Sequence, residues 1–151
     1  MGSLATPGTV RGLFDVHREL GSVPMRRIVE PAVVTAREGV PLNRLQAYIF
    51  SIVAPIYLAT PGARALYASP EDPRRPYREG EHMRQPELAD ALEALAIEGD
   101  RLFYEGEMAA ALVALCERQG GQLQASDLAG YRTCRRAPDR KSTRLNSSHR
   151  L

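Results

Sequence analysis

The chain has 151 residues, of which 44% are hydrophobic and 25% charged, as is ordinary for one globular domain. The formal net charge is +2, but residues 139–151 carry four basic groups and one acidic group, so the net charge of the remaining residues is −1. A weakly acidic chain gives no electrostatic reason to expect nucleic acid or an anionic membrane as a partner. Two cysteines are too few for a disulfide scaffold or a zinc cluster, and the longest apolar run, Tyr48 to Ala59, is shorter than the about 20 residues that span a bilayer.

Residues 5–39 carry the signals of two helices joined by a short turn. Pro7 opens the first helix without losing a hydrogen bond, and Gly21 ends it. Pro24 starts the second helix and Gly39 stops it. Apolar residues recur at helical spacing in both helices, so each is predicted to have one apolar face: Val10, Leu13, Phe14 and His17 or Leu20 in the first, and Val29, Val33, Ala36 and Val40 in the second.

A third helix is predicted to begin at Asn43, whose side chain can cap it, with Gln46 completing a capping box. This is the most apolar helix of the chain, and we expect its stripe to be buried: Leu45, Ile49, Ile52, Val53 and Ile56. Pro55 should bend the helix or end its regular part, because proline removes a donor and clashes with the preceding turn. Thr60-Pro61 indicates the cap and first position of a short helix through Tyr67.

Residues 69–81 predict a surface loop, because three prolines stand among charged residues without any apolar period. Pro86 starts the next helix and Gly99 ends it, with a predicted buried stripe of Leu88, Ala91, Leu92 and Leu95. Phe103-Tyr104 is expected to anchor the turn that follows.

Glu107 to Arg118 is predicted to be helical, with an inward face of Ala111, Leu112, Leu115 and Cys116, and Gly120-Gly121 ends this helix. Ser126 is expected to cap a last short helix that runs through Tyr131. Before Asp139 the pattern predicts brief extended pieces but no substantial strand. The sequence therefore predicts a mainly α chain.

The end of the chain, DRKSTRLNSSH from residue 139 to 149, differs in composition from everything before it. It contains the only lysine, Lys141, and no alanine, and it matches residue for residue an in-frame translation of a common short-read sequencing adaptor. We interpret residues 1–138 as the structured segment and residues 139–151 as a disordered, non-native tail. The alternative is a natural basic tail.

Taken in order, short motifs of this chain resemble the large subunit of gamma-glutamyltransferases, also called gamma-glutamyltranspeptidases or glutathione hydrolases. No single motif is specific, but the ordered set covers nearly everything before Asp139. The resemblance implies a helical fragment of a larger αββα N-terminal-nucleophile hydrolase fold, in which two sheets lie between helix layers. The motifs are Pro7-Gly8-Thr9-Val10, Gly12, Gly21, Pro24, Pro31-Ala32, Ala36-Arg37-Glu38-Gly39, Arg84-Gln85-Pro86-Glu87-Leu88-Ala89, Phe103-Tyr104-Glu105-Gly106, Gly120-Gly121 and Asp127-Leu128-Ala129-Gly130-Tyr131-Arg132.

The chemistry that this resemblance implies is acyl transfer by a threonine that self-cleavage leaves at the start of a small subunit. Its hydroxyl attacks the gamma-glutamyl amide and its own amine acts as base, while glycine N–H groups hold the oxyanion and an arginine holds the α-carboxylate of the substrate. The implied partners are gamma-glutamyl substrates such as glutathione and the small subunit of the same precursor, and no metal or organic cofactor is implied. Relatives that act on cephalosporin side chains or poly-gamma-glutamate share this framework.

None of these catalytic parts matches a position in the chain. The resemblance puts the nucleophile and the oxyanion glycines after Pro138 and the arginine before Met1. We therefore expect no catalytic, cofactor-binding or metal-binding residue here, and no activity from this chain alone. A different class of function, a small non-catalytic all-helical interaction module, stays open, and extending the gene in both directions would separate the two.

Other reactive residue types have structural interpretations. Thr9 is expected to support a helix start, and Thr133 stands beside Cys134 in no recognisable pattern. Histidines are expected as a packed side chain (His17) and a polar-loop residue (His82), and neither has metal ligands at the usual spacing. The remaining candidates are a buried Cys116, the acids Glu71, Asp72 and Glu79 in a solvated loop, and Lys141-Ser142-Thr143, which lacks the glycines of a phosphate loop.

Overall fold

The computed structural model of the chain describes residues 5–136. The predicted tail of residues 139–151, with Lys141-Ser142-Thr143, lies outside the described residues. Within residues 5–136 the chain is mainly helical, with one two-stranded ribbon. In chain order the elements are α1 (Thr9–Leu20), α2 (Met25–Glu38), β1 (Val40–Pro41), α3 (Arg44–Tyr57), α4 (Pro61–Tyr67), β2 (His82–Met83), α5 (Pro86–Glu98), α6 (Arg101–Tyr104), α7 (Glu107–Arg118) and α8 (Ala125–Ala129).

Helix ends follow the local signals of the sequence. Gly21 closes α1 with an N–H bond of 2.8 Å to the carbonyl of His17, and Gly39 closes α2 with a bond of 2.9 Å to that of Thr35. Gly39 has a φ of +83°, and a Cβ there would lie 2.6 Å from the Arg84 side chain. Glycine is therefore required at this stop for both its conformation and its close contact.

The predicted capping box at Asn43 is confirmed. The Gln46 N–H donates to Asn43 Oδ1, and the Asn43 N–H donates to Gln46 Oε1, both at 2.9 Å. α3 then runs two residues past Pro55, so the proline stands in the last turn instead of ending the helix. The hydroxyl of Thr60 accepts a bond of 3.1 Å from the Ala63 N–H and caps α4, as predicted.

Two kinds of contact involve α2, α5 and the ribbon: packing between the two helices and pairing between the two strands. α2 packs along α5 with Val33 and Ala89 buried between them. β1 pairs antiparallel with β2, with Val40 opposite Met83 and Pro41 opposite His82. These short strands are the brief extended pieces that the pattern predicts.

The main hydrophobic core lies among α6, α7 and α8, with the first turn of α1 against it. Its buried members are Tyr104, Ala109, Cys116, Leu123 and Leu128. Gly121 passes so close to this core that a Cβ on it would lie 2.2 Å from Cys116 Sγ. Tyr104 is 1% exposed, so the predicted anchor at Phe103-Tyr104 is confirmed.

The predicted inward faces of α5 and α7 are partly wrong. Leu88 is 46% exposed while its neighbour Ala89 is fully buried, and Leu115 is 42% exposed while Cys116 is buried. Ala111 is exposed as well, and Ala109 takes the inside position in α7. The helices approach their neighbours over small side chains, so the larger leucines are displaced to the edge of the contact.

The last helix also departs from the prediction. Ser126 lies inside α8, and the capping box is formed by Gln124 and Asp127, whose carboxylate accepts the Gln124 N–H at 2.9 Å. α8 ends at Ala129, two residues before Tyr131. Tyr131 instead stacks its ring on that of Tyr104, with 5.9 Å between the ring centres.

The apolar stripe of α3 is open in this chain, contrary to the expectation of burial. Leu45, Ile49, Ile52 and Ile56 are between 44% and 70% exposed. Phe50 and Tyr57 attach another side of α3 to Tyr67 of α4 through ring contacts. The stripe therefore points away from the contacts that the described chain makes.

Candidate functional site

A buried polar site joins α1 to the beginning of α6. The carboxylate of Asp100 is 7% exposed and receives guanidinium groups from both Arg11, at 2.5 Å, and Arg18, at 3.1 Å. The guanidinium of Arg11 also lies 4.3 Å above the centre of the Tyr104 ring. A buried carboxylate between two arginines is a charge-compensated structural site, because the two guanidinium groups offset the cost of burying the negative charge.

Tyr104 fixes the backbone at the same place. Its hydroxyl donates to the Pro7 carbonyl at 2.8 Å and accepts the Arg11 N–H at 3.0 Å, so both roles of the phenol are used. Gly8 lies so close to Tyr131 that a Cβ on it would be 2.1 Å from the phenol oxygen. The two stacked tyrosines and Asp100 together form what we call the α1 clamp.

One feature of the sequence indicates this clamp. Arg11, Asp15 and Arg18 recur at helical spacing on α1 and form a polar face of that helix. In the structure this polar face contacts the body of the chain through Asp100, and Val10 of the apolar face packs against the core, while Leu13 and Leu20 are 62% and 80% exposed. Sequence reasoning missed the clamp because its acid, Asp100, lies 89 positions from Arg11.

A second polar cluster, centred on Glu81, closes the loop of residues 69–81. Arg75 donates to both carboxylate oxygens of Glu81, at 2.6 and 3.0 Å, and the Ser69 hydroxyl and the Arg78 N–H donate to it as well. Arg75 first, and then the other donors, lower the pKa of Glu81 to about 2 in spite of partial burial. Ser69 is itself buried, so this loop is tied down more firmly than its composition predicts.

The loop acids singled out in the sequence are arginine partners. Asp72 accepts from Arg74 at 3.0 Å, which lowers the pKa of its carboxyl group, and Glu71 lies 3.2 Å from Arg75. Glu79 lines a shallow cleft beside α3. Such surface pairs each contribute little to stability, typically below about 1 kcal/mol.

The structure spreads the other candidates over the chain and does not bring them together. Thr9 is the exposed first residue of α1, and the Thr133 hydroxyl donates to Asp15 at 2.5 Å. That bond, followed by the Arg18 pair, lowers the pKa of the Asp15 carboxyl group. His17 donates from Nε2 to the Val23 carbonyl at 2.7 Å and closes the turn between α1 and α2.

The remaining candidates also lie in separate parts of the structure. His82 is exposed in β2, Cys116 is buried in the core, and Cys134 is exposed. Among residues 5–136, no three His, Cys, Asp or Glu side chains gather closely enough to hold a metal ion. In the same range, no helix combines the length and apolarity needed to cross a membrane.

Two open grooves flank α2. One, of about 560 Å³, lies between α2 and α5, and its charged rim is neutralised in part by Arg37, which pairs with Asp90 at 2.6 Å and Glu93 at 2.9 Å. The other, of about 450 Å³, is mainly apolar and lies between α2, α3 and α5, with Leu42 and Phe50 among its lining residues. Neither groove places a nucleophilic hydroxyl or thiol beside a base.

Comparison with known proteins gives consistent similarities. The family model described as Gamma-glutamyltranspeptidase matches residues 1–148. A glutathione hydrolase of Aspergillus flavus is 36% identical over 129 residues, which are 83% of this chain and 22% of the relative. A glutathione hydrolase proenzyme of Escherichia coli is 29% identical over 134 residues, which are 88% of this chain and 23% of the relative.

A solved structure agrees with these similarities. The crystal structure of Helicobacter pylori gamma-glutamyltranspeptidase aligns with a TM-score of 0.77 and 25% identity, over 83% of this chain and 36% of that one. The chain spans about a fifth of the length of the curated relatives that it matches.

Proposed function

Because this chain belongs to the gamma-glutamyltranspeptidase family, we propose that it is a helical segment of the large subunit of an enzyme that transfers or hydrolyses gamma-glutamyl groups. The observation that carries the proposal is the family match over residues 1–148. The agreement of the helices with the Helicobacter pylori structure supports it independently of any single motif.

The substrates of the complete enzyme are proposed to be glutathione and related gamma-glutamyl compounds. The relatives named glutathione hydrolase support this class. The small subunit of the same precursor is the proposed partner, in line with the name proenzyme of the Escherichia coli relative. A threonine nucleophile with its own amine as base needs neither metal nor organic cofactor for this acyl transfer.

Within such an enzyme the described residues have a supporting role. The α1 clamp holds the backbone at Pro7 and Gly8, downstream of the segment in which the substrate arginine is expected. The nucleophile and the oxyanion donors are expected beyond residue 138. The chain by itself therefore lacks the groups that must meet around the reacting carbonyl, and we propose that it is inactive alone.

The test is to recover the complete reading frame from source DNA and to express it beside the 151-residue chain. Release of a chromophore from a gamma-glutamyl anilide is expected from the complete protein and not from the chain. Replacing the threonine at the predicted processing site by alanine should abolish both self-cleavage and turnover, while the protein stays folded. A complete frame that ends near Arg136 without such a threonine would instead favour a non-catalytic helical module.

A further inference from the structure

We propose that residues 131–136, which follow α8, form a strap along α1, and that a chain of hydrogen bonds couples this strap to the bond that holds the Pro7 carbonyl. The inference does not depend on the proposed function, because every group in it lies within the described residues. Displacing the strap is expected to loosen the start of α1, although the two places lie near opposite ends of the described chain.

The strap follows α1 from its N-cap to its last turn. Residues spaced two apart on the strap contact the helix in the order of the helix itself: Tyr131 with Gly8, Thr133 with Asp15, and Arg135 with Glu19. The last two contacts are four residues apart on α1, a rise of about 6 Å. Two extended residues of the strap span about 6.6 Å. Because these spacings match, the strap lies parallel to α1 and contacts successive turns.

Asp15 joins the strap to Arg18. One oxygen of its carboxylate accepts the Thr133 hydroxyl at 2.5 Å, and the other accepts Nη2 of Arg18. Nη1 of the same guanidinium donates to Asp100 Oδ1 at 3.1 Å. Arg18 therefore bridges two carboxylates with two different nitrogens, which its planar group holds in a fixed geometry. A displacement of Asp15 must move Arg18 or break one of these bonds.

Asp100 carries the connection into the buried site. Its second oxygen accepts Nη1 of Arg11 at 2.5 Å, and the Arg11 N–H donates to the Tyr104 hydroxyl at 3.0 Å. That hydroxyl donates to the Pro7 carbonyl at 2.8 Å. The side chains of Asp100 and Arg11 are 7% and 14% exposed, so water competes little for these bonds. Groups that share partners in such a network contribute non-additively to stability.

The strap is the accessible end of this network. Thr133 is exposed, and the side chains of Asp15 and Arg18 are 29% and 49% exposed. A surface pair of this kind contributes little to global stability by itself. The coupling is therefore best measured locally, at the Arg11 amide, because the Tyr104 oxygen is its partner in the first turn of α1.

The experiment is hydrogen exchange of the Arg11 amide, resolved by mass spectrometry in the 151-residue chain and in the protein of the complete reading frame. Thr133→Val removes the hydroxyl at an exposed position and should speed this exchange at least about twofold, the lower limit for coupled groups. Thr133→Ser keeps the hydroxyl and should preserve the rate. The Ala63 amide is the internal reference, because the Thr60 hydroxyl caps it in the first turn of α4, outside the network.

Thr35→Val is the matched control. The Thr35 hydroxyl also makes one exposed hydrogen bond, at 2.7 Å to the Pro31 carbonyl within α2, so its loss should leave the Arg11 amide unchanged. Arg18→Lys tests the route of the coupling. It keeps the charge, but a single ammonium group does not reproduce the bridge between two carboxylates. In that background Thr133→Val should have no further effect.

A second measurement starts from the other end, because coupling between two places is reciprocal. Cys134 is exposed and Cys116 is buried, so a nitroxide label can be attached to the strap alone. Tyr104→Phe keeps the ring stacked on Tyr131 but removes the hydroxyl, and it should raise the mobile fraction of the label in the electron spin resonance spectrum.

Several results would overturn the proposal. They are an unchanged Arg11 amide in Thr133→Val, equal acceleration of the Ala63 amide, an effect of Thr133→Val that persists with Arg18→Lys, and an unchanged label in Tyr104→Phe. An Arg11 amide that exchanges as fast as in an unfolded chain in both proteins would also overturn it, because the bond to Tyr104 would then be absent.

Discussion

The hydroxyl of Tyr104 donates a hydrogen bond of 2.8 Å to the carbonyl of Pro7, a residue 97 positions away in the chain. The same oxygen accepts the Arg11 N–H, which belongs to the first turn of α1 and has no helical partner. One buried phenol thus satisfies an orphan donor and an orphan acceptor, and with Asp100 it fixes the start of α1 on the core of α6, α7 and α8.

Tyr104→Phe should therefore lower the free energy of unfolding by about 1–3 kcal/mol, the cost of leaving a buried donor and acceptor unpaired. Urea unfolding followed by circular dichroism at one protein concentration measures it. Tyr77→Phe is the matched control, because the Tyr77 hydroxyl makes no hydrogen bond among the described residues. This substitution should change the free energy of unfolding by no more than about 0.5 kcal/mol. Equal effects of the two substitutions would show that the Tyr104 hydroxyl contributes nothing.

Stability should depend on pH through Glu81. Its pKa is lowered to about 2 by Arg75 and its other donors, against about 4.3 in an unfolded chain. A lowered pKa stabilises the fold above the unfolded value, and this contribution is lost as the pH falls from about 5 towards 2. Glu81→Gln should cost about 2 kcal/mol at pH 7 and flatten the dependence of stability on pH between about 5 and 2.

Unfolding by urea at several pH values between 7 and 3 checks this expectation. Asp72→Asn is the matched control, since Asp72 also pairs with an arginine but belongs to an exposed pair. Its effect at pH 7 should be small. If the two variants lose the same pH dependence, the Glu81 cluster is not what holds the loop of residues 69–81.

The interpretation of residues 139–151 as an adaptor translation can be tested on source DNA. If residues 139–151 are an adaptor translation, amplification across the junction from source DNA should give family-like coding sequence after Pro138. The Gamma-glutamyltranspeptidase match extends to residue 148, so the same experiment weighs that match against the adaptor interpretation. Finding the DRKSTRLNSSH codons in the source DNA would establish a natural basic tail.

The 151-residue chain is expected to release no chromophore from a gamma-glutamyl anilide above the blank without protein. Proximity and orientation in an assembled site contribute roughly 7–11 kcal/mol to such a reaction, and the chain is expected to lack the groups that would provide it. Thr133→Ala and Thr9→Ala serve as controls. Turnover that either substitution abolishes would mean that a nucleophile lies within this chain.

The sequence by itself determined where most helices begin and end. The Asn43 and Gln46 capping pair, the Thr60 cap and the glycine stops at Gly21, Gly39 and Gly99 act within a few residues of each helix end, so their effect can be read locally. The ordered motifs likewise pointed to the family that the comparisons support.

Only the tertiary structure decided which face of each helix is inside. Ala89 and Ala109 are buried while Leu88 and Leu115, which are predicted to lie inside, are exposed, and α1 turns its charged face to Asp100 while Leu20 stays open. Helical periodicity ranks faces by hydrophobicity, but burial depends on which neighbour approaches and how closely. Those neighbours lie up to about a hundred positions away in the chain, and nothing in a local pattern specifies them.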